Sequence, residues 1–235
     1  MKKLILLLLI LLIPVLALAQ TAEDYYDKGV AKYKQGDYKG ALQDFNKAIK
    51  LNPNSADAYN NRGVAKVNLG DYRGAIQDYN KAIKLNPNYA DAYINRGSAK
   101  GKLGDYKGAL QDFNKAIKLN PNSADAYNNR GSAKGKLGDY QGAIQDNNKA
   151  IELNPNHAEA YLGRGNNKGK LGDHRGAIHD FNKAIQLNPN YALAYYNRGV
   201  AKIQLGQKDS GCLDLSKAGV LGYSQAYDAI KQVCQ

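Results

Sequence analysis

A fixed step of 34 residues runs through almost the whole chain, and it constrains the fold more than any other feature. Pro53, Pro87, Pro121, Pro155 and Pro189 keep this step, as do Gly36, Gly70, Gly104, Gly138, Gly172 and Gly206. Tyr25, Tyr59, Tyr93, Tyr127, Tyr161 and Tyr195 follow it as well. Self-similarity at this length marks a stacked array of one supersecondary unit. The units run 22–55, 56–89, 90–123, 124–157 and 158–191, with a degenerate sixth at 192–225.

Each unit reads as two helices. In 56–89, Asn54 is placed to cap the first helix, with Asp57 three residues on as its acidic partner. The helix runs over about 56–69 and ends at Gly70, the residue type suited to the left-handed position after a helix. Asp71 caps a second helix over about 72–85, and Pro87 prevents its continuation. Connections this short make the two helices antiparallel. Neither helix can bury its apolar stripe alone, so the units must stack. The composition agrees. Tryptophan is absent, Phe occurs 3 times, and Gly (24) and Tyr (18) are plentiful, which suits many thin helix contacts rather than one bulky core.

With Tyr59, Gly63, Ala75, Tyr79, Ala82 and Pro87 at unit positions four, eight, twenty, twenty-four, twenty-seven and thirty-two, the chain resembles the tetratricopeptide repeat family. The match covers 22–191 closely and 192–225 loosely. The resemblance implies an all-α, right-handed superhelical solenoid of antiparallel helix pairs, with about six repeats over 20–225 and a capping helix in 226–235. It also implies a concave groove lined by the first helix of each unit.

Met1 to Ala19 reads as a bacterial signal peptide, with Lys2 and Lys3, an apolar run Leu4–Leu16 broken by Pro14, and the cleavage pattern Ala17-Leu18-Ala19. The apolar run is shorter than the roughly 20 residues a membrane span needs. Cleavage after Ala19 would leave a periplasmic or secreted protein with no stable membrane insertion. The alternative is retention of this segment as an anchor. In an oxidising compartment Cys212 and Cys234, on the last helix pair and an added helix over about 225–233, read as a disulfide that staples the end of the array; two buried thiols are the alternative.

Two departures from the family pattern carry expectations. Position seven holds Arg62, Arg96, Arg130, Arg164 and Arg198, position eleven holds Lys66, Lys100, Lys134, Lys168 and Lys202, and position twenty-three holds Asp44, Asp78, Asp112, Asp146, Asp180 and Asp214. Charges at sites the family buries need partners. The spacing predicts an Arg–Asp ladder between units, with Asp44 meeting Arg62 and so on to Asp180 with Arg198. Gly101, Gly135 and Gly169 replace larger residues late in three first helices, which predicts close helix approach or a roomy groove there. Asn147 replaces the aromatic residue of the fourth unit, which makes the middle of the array its softest part.

No catalytic constellation is present, and the chain is read as a non-enzyme without cofactor. His157, His174 and His179 lack an i, i+4 metal spacing and are placed on loops or outer helices, so no metal site is expected. The stretch Gly163 to Lys170 has the wrong glycine spacing for a phosphate loop, and Leu171 stands where Ser or Thr is required. Function then rests on the groove. The candidate peptide-binding residues are Asn61, Asn95, Asn129 and Asn197 at position six, Ser98, Ser132 and Asn166 at position nine, and Lys102, Lys136 and Lys170 at position thirteen. Asp57, Asp91 and Asp125 share that face. A carboxamide both donates and accepts, so a row of them can hold a peptide backbone. The row resembles the asparagine ladder of long tetratricopeptide grooves, broken here by Asp27 and Gly163.

The expected function is a monomeric protein-interaction scaffold that holds an extended or helical peptide in its groove, in the bacterial envelope or outside the cell. The net charge of +12 leaves two alternatives. One is a basic surface that binds nucleic acid or another polyanion. The other is a structural spacer that self-associates. Export argues against contact with nucleic acid.

Overall fold

The computed structural model describes residues 20–234, so the signal-peptide reading of 1–19 lies outside the described residues. Thirteen helices and no strand occur among them. Six antiparallel pairs follow one another: α1 (Ala22–Lys34) with α2 (Tyr38–Leu51), α3 (Ala56–Asn68) with α4 (Tyr72–Leu85), α5 (Ala90–Lys102) with α6 (Tyr106–Leu119), α7 (Ala124–Lys136) with α8 (Tyr140–Leu153), α9 (Ala158–Lys170) with α10 (His174–Leu187), and α11 (Ala192–Gln204) with α12 (Lys208–Val220). A last helix, α13 (Gln225–Val233), packs on α12.

The turn inside each pair is set by glycine. Gly36, Gly70, Gly104, Gly138, Gly172 and Gly206 have φ between 77° and 88°, where a side chain would be strained. The next residue, Asp in the first five pairs, caps the second helix, as when the Gly74 amide donates to Asp71 Oδ1 at 2.8 Å. At the start of α3 the cap is Ser55, which accepts from the Ala58 amide, and not Asn54 as the sequence pattern suggests. Asn54 is instead drawn into the preceding turn, where its amide donates to Asn52 Oδ1.

Within a pair, a missing side chain on the first helix receives a ring from the second. A Cβ on Gly63 would stand 2.6 Å from the Tyr79 ring, and Gly29, Gly97 and Gly165 meet Phe45, Phe113 and Phe181 in the same way. Ala41, Ala75, Ala109, Ala143 and Ala177, all fully buried, let the two helices approach closely. Between pairs, α1 meets α3, α3 meets α5, α5 meets α7, α7 meets α9 and α9 meets α11, whereas the second helices make no comparable contacts with one another among the described residues. First helices that crowd while second helices fan apart bend the stack. The first helices therefore line its concave side.

The charged positions close differently from the inter-unit ladder that the sequence spacing suggests. Arg96 Nε and Nη2 donate to Asp112 of its own pair at 3.0 and 2.6 Å, not to Asp78 of the preceding one. Lys100 Nζ lies 2.8 Å from Asp112 Oδ2, the oxygen that Arg96 Nε also contacts. The remaining Arg96 nitrogen, Nη1, donates to Asn80 Oδ1 of the preceding pair at 2.6 Å. The same set recurs at Arg62, Arg130, Arg164 and Arg198. Positions seven and twenty-three face each other across one hairpin, so the acid is claimed there first. The link between units falls to asparagine. In the first unit Lys32 holds Asp44 at 2.6 Å, while Lys28 lies over the Tyr25 ring. The Asp side chains of the other five units are 0–8% exposed, so each is a buried anion held between two cations.

The Sγ atoms of Cys212 and Cys234 are bonded, with Cα atoms 5.9 Å apart. This fastens the end of α13 to α12.

Candidate groove site

The concave face runs along α1, α3, α5, α7, α9 and α11, and the candidate groove residues lie on it in three rows. At the N-terminal ends of the helices stand exposed carboxylates, Glu23, Asp57, Asp91, Asp125 and Glu159. At the C-terminal ends stand exposed cations, Lys34, Lys102, Lys136 and Lys170. Each row complements the partial charge of its helix terminus. Between them lies a floor of neutral amides and hydroxyls, in which Ser98, Ser132 and Asn166 are exposed and Asn61, Asn95, Asn129 and Asn197 half-buried.

The four position-six asparagines are not equivalent. Asn61 Nδ2 donates to the Tyr26 hydroxyl at 2.8 Å, and its Oδ1 accepts from Asn60 at 3.2 Å. Asn95 Nδ2 donates to Asn60 Oδ1, and Asn197 Nδ2 to Asn166 Oδ1, leaving both Oδ1 atoms without a donor among the described residues. The Asn129 side chain makes no hydrogen bond among the described residues. The cause lies in the neighbour at position five of the preceding unit. Tyr26 and Asn60 offer polar atoms there, but Ile94 offers none.

The glycine departures resolve into two situations. A Cβ on Gly101 would meet nothing within 4 Å, and one on Gly169 would meet only Ala177 Cβ at 3.9 Å, so both open the groove. A Cβ on Gly135 would stand 2.6 Å from Asn167 Oδ1, so that glycine admits a side chain of the next unit.

Here the repeat is most altered. Asn147, 1% exposed, stands where the first, second, third and fifth pairs have a buried ring and the sixth has Leu215, and Asn167, 7% exposed, stands where neighbouring units have Ala65, Ala99, Ala133 or Ala201. Asn147 Nδ2 donates to Asn128 Oδ1 at 3.2 Å. Asn167 Nδ2 donates to Asn147 Oδ1 at 3.3 Å and to the Gly163 carbonyl at 2.8 Å. The amides fill the space of the missing ring, and Gly163 leaves them uncovered toward the groove. A cleft of about 900 Å³ opens over them, lined on α11 by Leu193, Tyr196 and Val200 and at its other end by Lys136, Lys170 and His174. Asn147 was legible in the sequence as a departure; Asn128 and Asn167 were not singled out, although Asn167 breaks a run of alanines.

His157 lies in the loop before α9, as the sequence places it. It is 8% exposed, with Nε2 at 3.1 Å from Asp125 and Nδ1 at 3.0 Å from Glu159, so it ties two successive carboxylates of the acidic row. Tyr89 holds the corresponding place two units earlier. Burial, and then its bond with Asp57, pushes its phenol well above the ordinary range. Among the described residues no group of three His, Cys, Asp or Glu side chains could hold a metal ion, and no helix is long and apolar enough to cross a membrane.

Models of the tetratricopeptide repeat match most of the array. One described as "TPR repeat" matches 25–70, 101–138 and 168–206, and two described as "Tetratricopeptide repeat" match 56–89 and 124–157, and 78–111. No curated protein matches significantly. Among solved structures, MamA is 31% identical, with 70% of this chain and 96% of that one covered and a TM-score of 0.59. A tetratricopeptide repeat protein from Parabacteroides merdae is 25% identical over 91% of this chain and 84% of that one, with a TM-score of 0.74. YrrB, described as a TPR protein with an unusual peptide-binding site, is 28% identical over 80% and 97%, with a TM-score of 0.59. With the repeat, the stacked hairpins and the matched models in agreement, the chain belongs to the tetratricopeptide repeat family.

Proposed function

We propose that this protein is a monomeric interaction scaffold of the bacterial envelope or the extracellular space, and that its concave groove holds an extended peptide segment of a partner protein. The observation that carries this reading is the unspent hydrogen-bonding capacity at the middle of the floor. Among the described residues no group bonds the Asn129 carboxamide or donates to Asn95 Oδ1 beside it. An extended backbone presents one donor and one acceptor per residue and can use both. Family membership and the peptide-binding site named for YrrB support the assignment. The Cys212–Cys234 bond supports an oxidising address.

The polyanion alternative is weaker because of where the charge lies. Residues 20–235 carry +10 once Lys2 and Lys3 are removed with the leader. Each Arg–Lys–Asp set carries one net positive charge, and five such sets account for half of that excess. Those arginines are only 17–19% exposed, with their charge turned into the hairpin.

The test is capture from envelope extract with the purified protein. Asn95→Ala with Asn129→Ala should lose the partner, whereas Asn61→Ala, whose amide is already committed, should retain it. Equal capture by all three proteins would end the groove assignment. Mass spectrometry of the exported protein should find Gln20 at its N-terminus.

A further inference from the structure

The cleft between α7, α9 and α11 is unlike the rest of the groove, and its lining specifies more than a backbone contact. Asn167 is buried, and both hydrogens of its Nδ2 are used, yet its Oδ1 accepts from no donor among the described residues. That oxygen lies over Gly135, at a place the glycine leaves open. Although the residue is buried, this oxygen itself is not sealed off and opens to the cleft, where a ligand or water can donate to it. Around it Leu162, Leu193, Tyr196 and Val200 form an apolar wall, and Tyr196 is held by its contact with Tyr223 at 4.8 Å between ring centroids. Lys136 and Lys170, both exposed, border the cleft, and neither has an acidic partner among the described residues.

These features select among side chains. The donor that reaches Asn167 Oδ1 must be neutral, because the two lysines repel a cation and a carboxylate has no proton to give. Its body must be apolar to match the wall. Its neighbours along the chain should be acidic to meet the lysines. Tyrosine combines a broad apolar ring with a hydroxyl donor at its tip. We propose that this cleft is an anchor subsite for a tyrosine flanked by acidic residues in the bound peptide, its ring against Leu193, Tyr196 and Val200 and its hydroxyl donating to Asn167 Oδ1. This rests on the groove-binding reading and adds a sequence preference to it.

The structure also supplies a clean way to close the cleft. Gly169 faces open space, so Gly169→Leu fills it without meeting backbone, and it improves the helix. Gly101→Leu is the matched control, since that glycine also faces open space but does not line the cleft. Fluorescence anisotropy of a labelled Gly-Ser-Glu-Tyr-Glu-Ser-Gly peptide, titrated with the purified disulfide-intact protein at low salt, reads the result. The tyrosine peptide should bind, and its phenylalanine counterpart about tenfold more weakly, because the hydroxyl's bond to Asn167 Oδ1 is lost. Gly169→Leu should abolish binding, Gly101→Leu should leave it within about twofold, and changing both Glu to Gln should weaken it about two- to fivefold. Phenylalanine binding as well as tyrosine, a glutamine-centred peptide binding better, or Gly169→Leu binding like wild type would each overturn the subsite. Binding that survives Gly169→Leu but is lost with Asn95→Ala and Asn129→Ala would overturn the subsite and keep the groove reading. Capture of the envelope partner with no binding of the tyrosine peptide would do the same.

Discussion

Restoring the repeat at its most altered point is a quantitative test of how the fourth and fifth units cohere. Asn147→Phe places a ring where Phe45, Phe113 and Phe181 are 1–3% exposed. Full burial of a phenylalanine stabilises by about 1.5–3 kcal/mol. The change also removes two long amide bonds, at 3.2 and 3.3 Å, each worth about 0.5–1 kcal/mol net. It leaves Asn167, sized for the smaller neighbour, pressed against the ring. The single variant should therefore gain no more than about 1 kcal/mol. Asn167→Ala alone should cost about 1–2 kcal/mol, because it empties space beside Asn147 and strips a donor from its buried Oδ1. Made together, the two changes recreate the ring and alanine of the neighbouring units and should stabilise by about 2 kcal/mol. The cycle thus yields a coupling of about 2 kcal/mol, within the range found for residues in contact. Urea denaturation followed by far-ultraviolet circular dichroism, on all four proteins with the disulfide intact, measures it. If Asn167→Ala stabilises alone, or the effects simply add, then the amides do not act as a unit and the reasoning fails.

Further expectations follow from the hairpins and their ends. Asp112→Ala leaves Arg96 and Lys100 facing each other without their anion and should cost about 3 kcal/mol in denaturant unfolding. Gly101→Ala should stabilise by about 1 kcal/mol, whereas Gly63→Ala, which drives a methyl against the Tyr79 ring, should destabilise; thermal melts that move the same way would contradict the packing described. Replacing Cys212 and Cys234 by Ser opens a loop of sequence separation 22 and should cost about 3 kcal/mol by chain entropy, with hydrogen exchange rising first in α13. Asp24, bonded to the amide and hydroxyl of Thr21, has its pKa held below 3.8. Its contribution is present above that value and is lost as pH falls through the lower folded one, so the Thr21 amide resonance should titrate with a midpoint below 3.8.

The hairpin unit was legible in the sequence because its signals are local. A glycine after each first helix, an aspartate after most of those glycines and a proline past each second helix fix turns within a few residues, and α3 and α4 lie within a residue of where those signals place them. The pairing of Cys212 with Cys234 and the helix that carries Cys234 were legible for the same reason. Ser55 was harder, because Asn54 offers the same capping chemistry one residue earlier. The charge pairing was not legible, because spacing alone allows Asp78 to meet either Arg62 or Arg96. Only the facing geometry of one hairpin gives it to Arg62 and leaves Asn80 to Arg96.

The site divides along the same line. Which residues face the groove follows from helical periodicity, so the sequence alone placed Asn61, Asn95, Asn129 and Asn197 on one surface. Which of them has hydrogen bonds left to give depends on the neighbour contributed by the preceding unit, some 35 residues away, and only packing brings that neighbour into reach. The cleft is the furthest case. It exists because a lost ring in α8, an asparagine in α9 and two missing side chains, at Gly135 and Gly163, meet at one point, and no local pattern in the chain records that they meet.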